Sequence, residues 1–158
     1  MYSTNFYNER MFNIRLADDS DIKNVFELSN DDLVRANSIN KNKIEWENHV
    51  NWFNQRIQNT KEPFFIAETP EGDFIAQIRF NKEDDGFVIS VSIDKNFRGK
   101  GFGAKIIKEA SKKLNIYPII AYVKTDNIPS QKSFVKAGYV LDGDKLINNE
   151  TYLRYVLN

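Results

Sequence analysis

Three glycines in five residues, Gly99, Gly101 and Gly103, follow Arg98 and alternate with Lys100 and Phe102. Glycine lets backbone N–H groups approach an anion closely, and a helix starting here adds unpaired donors aimed the same way. The chemistry offered is phosphate binding. Upstream, Val91-Ser92-Ile93 ends an apolar, strand-like run; downstream, Ile106, Ile107, Ala110 and Leu114 recur at helical spacing. From Asp94 to Lys113 seven basic residues stand against two acidic ones, a net of +5 around the turn. A polyanionic ligand requires such an excess, and a solvated helix face produces it equally well.

The rest of the chain narrows the classes. Its 158 residues suit one domain, 1–158, with a substantial core. Lys plus Arg equals Asp plus Glu at 22 each, so nucleic acid and anionic membranes are not expected partners. The absence of cysteine removes disulfides and thiol nucleophiles, and a single histidine argues against a metal site. No apolar run approaches the length of a membrane span, and the expected location is cytoplasmic.

The elements that must position the turn follow from periodicity. Phe12 to Leu16 predicts a strand, and Asp18, Asp19 and Ser20 supply caps for a helix carrying Ile22, Val25, Phe26 and Leu28. Trp46, Val50, Phe53 and Ile57 share a face and predict a second helix over 44–57. Strands over 63–67 and 73–80, joined by Thr69-Pro-Glu-Gly72, and a third over 87–93 form an antiparallel meander. After the helix at Gly103 come a strand over 118–123 and a short helix with Asp126 or Asn127 at its start, Pro129 in its first turn and Gly138 as its stop. Extended pieces near 139–141 and 151–157 finish the chain. The expected fold class is α/β (α+β), a mixed, mostly antiparallel sheet flanked by helices, in the order β-α-α-β-β-β-α-β-α-β-β.

Gly99 to Ala104 also satisfies the G-x-G-x-x-G/A dinucleotide fingerprint. That reading needs the strand to run almost directly into the first glycine of an opening βαβ unit. Here Asp94 to Phe97 intervene and an antiparallel meander precedes the turn. The better match is a different one. Arg98-Gly-Lys-Gly-Phe-Gly103 resembles the R/Q-x-x-G-x-G/A signature of the GCN5-related N-acetyltransferase superfamily. Asn127-Ile-Pro-Ser130-Gln-Lys-Ser133-Phe134-Val-Lys-Ala-Gly138-Tyr139 resembles that superfamily's second motif. The resemblance covers most of the chain from Phe12.

What the resemblance implies is specific. Acetyl-CoA is the acyl donor, with no metal. Gly99, Lys100, Gly101, Phe102 and Gly103 take its pyrophosphate with help from Arg98, while Val91, Ser92 and Ile93 pair with the pantetheine arm. Asn127, Ser130 and Phe134 sit along the same cofactor, although Asn127 serves equally as a helix cap. The reaction is direct attack of a neutral amine on the thioester, with a backbone N–H near Val91–Ile93 as oxyanion donor. In many members a tyrosine in the second motif protonates the leaving thiolate. Phe134 stands there instead and cannot donate. If the CoA thiol titrates like a cysteine, near pKa ~8.5, leaving as thiolate at neutral pH costs only about 2 kcal/mol. Water, Ser133 or Tyr122 can cover that.

The acceptor is less legible. Gln77 and Arg79 share one strand face, and Trp46, His49 and Trp52 make an aromatic-rich helix. A satisfied, half-buried histidine and an acceptor-site ring both fit His49. Arg35-Ala-Asn37-Ser-Ile39 followed by Trp46-Glu-Asn-His49-Val-Asn-Trp52 resembles the UDP-4-amino-sugar N-acetyltransferases of pseudaminic acid biosynthesis. That resemblance implies a UDP-linked amino sugar as the small-molecule amine. A peptide N-terminus as acceptor, and a non-catalytic CoA-binding module, remain open beside it. Homodimers are common in the superfamily, which makes a homodimer a further expectation.

Overall fold

A computed structural model describes residues 12–158. The first eleven residues of the expected 1–158 domain lie outside the described ones. The elements are β1 (Asn13–Leu16), α1 (Ile22–Ser29), α2 (Asp32–Asn37), α3 (Trp46–Gln58), β2 (Phe64–Glu68), β3 (Phe74–Glu83), β4 (Gly86–Ile93), α4 (Phe102–Leu114), β5 (Ile119–Lys124), α5 (Ile128–Lys136), β6 (Val140–Ile147) and β7 (Glu150–Leu157). One sheet holds all seven strands in the order β1-β2-β3-β4-β5-β7-β6. Every pairing is antiparallel except β4 with β5.

The element order differs from expectation by one helix. Asp31 caps α2 by accepting from the N–H groups of Leu33 and Val34, at 3.0 and 3.2 Å. The helix has six residues and buries none of them, so it leaves no apolar period in the sequence. The last hairpin is also longer than expected. Asn148 and Asn149 both take left-handed conformations, φ 49° and 64°, as a two-residue hairpin turn requires. That turn draws residues 140–147 into β6.

Alternation along β2 and β3 divides two cores. Phe65, Ile78, Phe80 and Ile89 point to the face covered by α4 and α5, where Ile106, Ile107, Ala110 and Phe134 complete the larger cluster. Phe64 and Ile66 point to the opposite face and pack with Val25 of α1 and Phe53 of α3. Arg79 pairs with Phe64 and with Ser90, and Gln77 with Ile66 and with Ser92; these four polar residues therefore share the α1–α3 face. Among the described residues no helix is long and apolar enough to cross a membrane.

The buried face of α3 is turned from the expected stripe. His49 and Phe53 are its buried residues, while Trp46 is 42 % exposed. His49 tolerates burial because its Nε2 meets the Ile22 carbonyl at 2.8 Å, which places the ring proton on that nitrogen.

Candidate active site

β4 and β5 are matched only at Phe87–Ile119 and Val88–Ile120. Beyond Val88 the two strands part. β4 continues to Ile93 paired only with β3, and β5 continues to Lys124 paired only with β7. The sheet therefore contains a split whose β4 edge, Ile89 to Ile93, carries backbone groups with no neighbouring strand. An extended chain bearing amide groups fits such an edge by strand addition.

The glycine turn sits at the end of that edge. Asp94 accepts from Asn96 N–H at 2.9 Å and starts a single 3-10 turn over Lys95–Phe97, which carries the chain to Arg98. Gly99 and Gly101 adopt φ 72° and 82°, values that a side chain would strain, and no atom lies within 4 Å of where either Cβ would stand. α4 begins at this point without a side-chain cap. The N–H groups of Gly99, Lys100 and Gly101 have no protein acceptor among the described residues. Open space over unpaired donors at a helix start suits a diphosphate, the dipole alone adding about 0.3–2 kcal/mol.

Gly103 does something different. A Cβ there would lie 2.9 Å from Ser133 Oγ and 3.4 Å from Ile93 Cδ1. Its missing side chain lets α5 close onto the start of α4 beside the last residue of β4. Ser133 is thereby set at the junction of turn, split and α5. Tyr122 lies on β5 two residues past the last β4–β5 pair, on the α1–α3 face, with Lys145 Nζ 5.0 Å above its ring. Asn127 caps α5, its side chain accepting from Ser130 N–H at 3.3 Å. Phe134 is buried in the larger core, edge-on to Tyr139 and stacked on Tyr155. Lys100 is exposed with its Nζ 5.8 Å from the Phe97 ring.

Two expected ligand residues are already engaged. Arg98 donates from Nε to the Ile93 carbonyl and from a terminal nitrogen to Asp31, both at 2.9 Å. Arg35 spends its guanidinium on the carbonyls of Ser29, Asn40 and Asn42, at 2.6, 2.8 and 3.2 Å, and on Ser38 Oγ at 3.3 Å. Asn37 ends α2 close by. Gln77 is 1 % exposed and donates to Ser29 Oγ at 3.0 Å. Arg79 lays its guanidinium carbon 5.3 Å from the Trp52 ring centre. Burial, and secondarily Arg56 and Arg35, pull its pKa down to about 10. Among the described residues no group of acidic or histidine side chains is disposed to hold a metal ion.

A split strand edge ending in a glycine turn at a helix start makes a groove suited to an extended, amide-bearing chain that ends in a phosphate group. Residues 12–140 match the family model described as the acetyltransferase (GNAT) domain. The chain belongs to the GNAT acetyltransferases. The provisionally assigned phosphinothricin acetyltransferase YwnH of Bacillus subtilis (strain 168) is 28 % identical over 139 residues, covering 80 % of this chain and 82 % of that one. Among solved structures, the Vibrio cholerae spermidine N-acetyltransferase with CoA and spermine superposes at TM-score 0.83 and 18 % identity, over 93 % of this chain and 95 % of that one. The aminoglycoside acetyltransferase AAC(6')-Ib with ribostamycin and coenzyme A gives TM-score 0.80 at 14 % identity, over 94 % of each chain. These likenesses establish the fold. This GNAT chain is an acyl-CoA-dependent acetyltransferase, and acetyl-CoA is its donor.

Asp31 was missed in the sequence, although it joins the turn to α2. The signal was an Asp-Asp pair after Ser29-Asn30, a helix-start pattern hidden by the short, exposed helix that follows.

Proposed function

We propose that this GNAT protein is an N-acetyltransferase acting on the primary amine of a small molecule by direct attack. One observation carries the reading: the unpartnered β4 edge, Ile89 to Ile93, runs into the open glycine turn at Gly99–Gly103. In this reading Val91, Ser92 and Ile93 present backbone groups to the pantetheine arm, and the amides of Gly99 to Gly103 hold the pyrophosphate. Ser130 and the free end of the Asn127 amide flank the arm from α5. The amine nitrogen bonds to the thioester carbon and the carbon–sulfur bond breaks. The amine proton passes to water, and the thiolate gains a proton from water, Ser133 or Tyr122. A strand N–H at the split supports the oxyanion.

The similar proteins are named for small amines, which favours a small acceptor over a peptide terminus. A UDP-linked amino sugar belongs among the candidates. Of the residues it rested on, Arg35 and His49 are tied to backbone carbonyls of α1 and the loop after α2. Asn37, Trp52 and Arg79 are left to line the acceptor side, while Gln77 is buried against Ser29.

Thiol release from acetyl-CoA tests the reading, measured with polyamines, amino acids, an aminoglycoside, a UDP-4-amino sugar and peptides. Turnover of a small amine is expected. Turnover confined to peptides overturns the acceptor class, and tight CoA binding with no turnover on any amine points to a non-catalytic module.

A further inference from the structure

Six arginines lie among the described residues, and five have hydrogen-bond acceptors for their guanidinium groups. Arg15 holds Asp21 and Glu68, Arg35 holds the carbonyls of Ser29, Asn40 and Asn42, Arg56 holds the Phe80 carbonyl, Arg98 holds Asp31 and the Ile93 carbonyl, and Arg154 holds Asp142. Arg79 has neither a hydrogen-bond acceptor nor a carboxylate within 4.0 Å among the described residues. Its guanidinium rests on Trp52, and its charged neighbours are Arg56 and Arg35. A partly buried cation beside two others is costly unless an anion joins it.

Its place in the fold says which anion. Arg79 pairs with Ser90, and Ser90 sits two residues past Val88, the last residue of β4 matched to β5. Arg79 is therefore level with the opening of the split. It faces the α1–α3 side, whereas the glycine turn starts α4, which packs on the other face. In the transferase reading, a carrier held from the α4 side brings its thioester to the split, which leaves the Arg79 side for the acceptor.

Building on the transferase reading, we propose that the acceptor amine carries an anionic group, a carboxylate or phosphate, and that Arg79 is the residue that reads it. A guanidinium on an aromatic face offers a carboxylate or phosphate a planar fork of N–H donors in a poorly solvated place.

The test uses the full chain with saturating acetyl-CoA and compares glutamate, its neutral diamide, spermidine and a UDP-4-amino sugar. Wild type should prefer an anionic amine over the neutral one. In Arg79→Met the anionic-to-neutral ratio of kcat/KM should fall roughly 30-fold or more, mainly through KM, with partial recovery in Arg79→Lys. A preference for spermidine, or a ratio unmoved by the substitution, overturns the proposal. A turnover-free arm separates it from the transferase reading: with CoA filling the turn, glutarate and inorganic phosphate should raise the melting temperature of wild type, raise it less in Arg79→Lys, and leave Arg79→Met unmoved. No shift in wild type sinks the anion site even where acetyl transfer is observed, and a shift without turnover on any amine sinks the transferase reading alone.

Discussion

Arg98 and Asp31 join at 2.9 Å across 67 residues of sequence, and the same guanidinium donates to the Ile93 carbonyl at 2.9 Å. One side chain thus ties together the end of β4, the entry to the glycine turn and the start of α2. Asp31 is held below its usual carboxylate range although its burial opposes this, because Arg98 and the N–H groups of Val34 and Leu33 hydrogen-bond to it. The arginine of the signature thus braces the entry to the glycine turn.

This arrangement predicts an unusual charge response. Arg98→Ala and Arg98→Lys should both weaken CoA binding by about tenfold, because a lysine cannot bridge both acceptors. Asp31→Ala should weaken it too, although it removes a negative charge near a polyanion site. Isothermal calorimetry decides: if the lysine variant binds like wild type and Asp31→Ala binds tighter, Arg98 acts as a free phosphate ligand.

The approach of α5 to α4 rests on Gly103. An alanine there meets Ser133 Oγ at 2.9 Å, and forcing an extra methyl into a packed contact typically costs about 1–3 kcal/mol. Ser133→Ala removes the nearest atom, so Gly103→Ala should cost less in that background. Urea unfolding of the two singles and the double should give a coupling of roughly 0.5 kcal/mol or more. Strictly additive losses would mean that another contact sets the helix spacing.

Legibility in the sequence tracks how local the cause is. The turn, the α4 stripe and the α5 boundaries rest on glycine, capping and periodicity within a few residues, and they stand where they were read. α2 had no buried face to announce it, and the true face of α3 depended on a carbonyl of α1 reaching His49. The engagement of Arg98 and Arg35 was invisible for the same reason. Whether an arginine waits for a ligand or braces a loop depends on acceptors brought by the fold, and those sit elsewhere in the chain. Arg79 shows the converse, since its lack of a hydrogen-bond partner among the described residues emerges only once the other five described arginines are accounted for.

Arg15 and Asp21 make the clearest stability prediction. Asp21, 3 % exposed, receives two hydrogen bonds from Arg15 at 2.8 Å and one from the Asp18 N–H at 2.8 Å, fixing β1 to the entry of α1. Arg15→Met strands a buried carboxylate and should cost roughly 2–4 kcal/mol. Asp21→Asn leaves Arg15 its Glu68 partner, 3.1 Å away, and keeps an acceptor for the Asp18 N–H. It should therefore cost distinctly less. Chemical denaturation that ranks the two in the opposite order would assign the energy to Arg15 packing instead.

His49 makes stability on the α1–α3 side depend on pH below 6.5. Burial among Phe26, Trp46, Trp52 and Phe53 lowers its pKa, the Ile22 carbonyl opposes that, and Arg79 lowers it further. The unfolded chain therefore takes up the imidazole proton at a higher pH than the folded one does. Between the folded value and the ordinary 6.5 the unfolded state binds more protons, so stability falls with falling pH by up to about 1.4 kcal/mol per unit. Above about pH 6.5 the contribution of the neutral ring is complete. As the chain has one histidine, its imidazole resonances report the titration directly. Their midpoint should lie below pH 6.5, and the stability advantage of wild type over His49→Gln should shrink from pH 7.5 to 5. A midpoint at or above 6.5 in the folded protein would mean that a solvated or anion-paired imidazolium occupies this place and that the ring is not shut in behind Ile22.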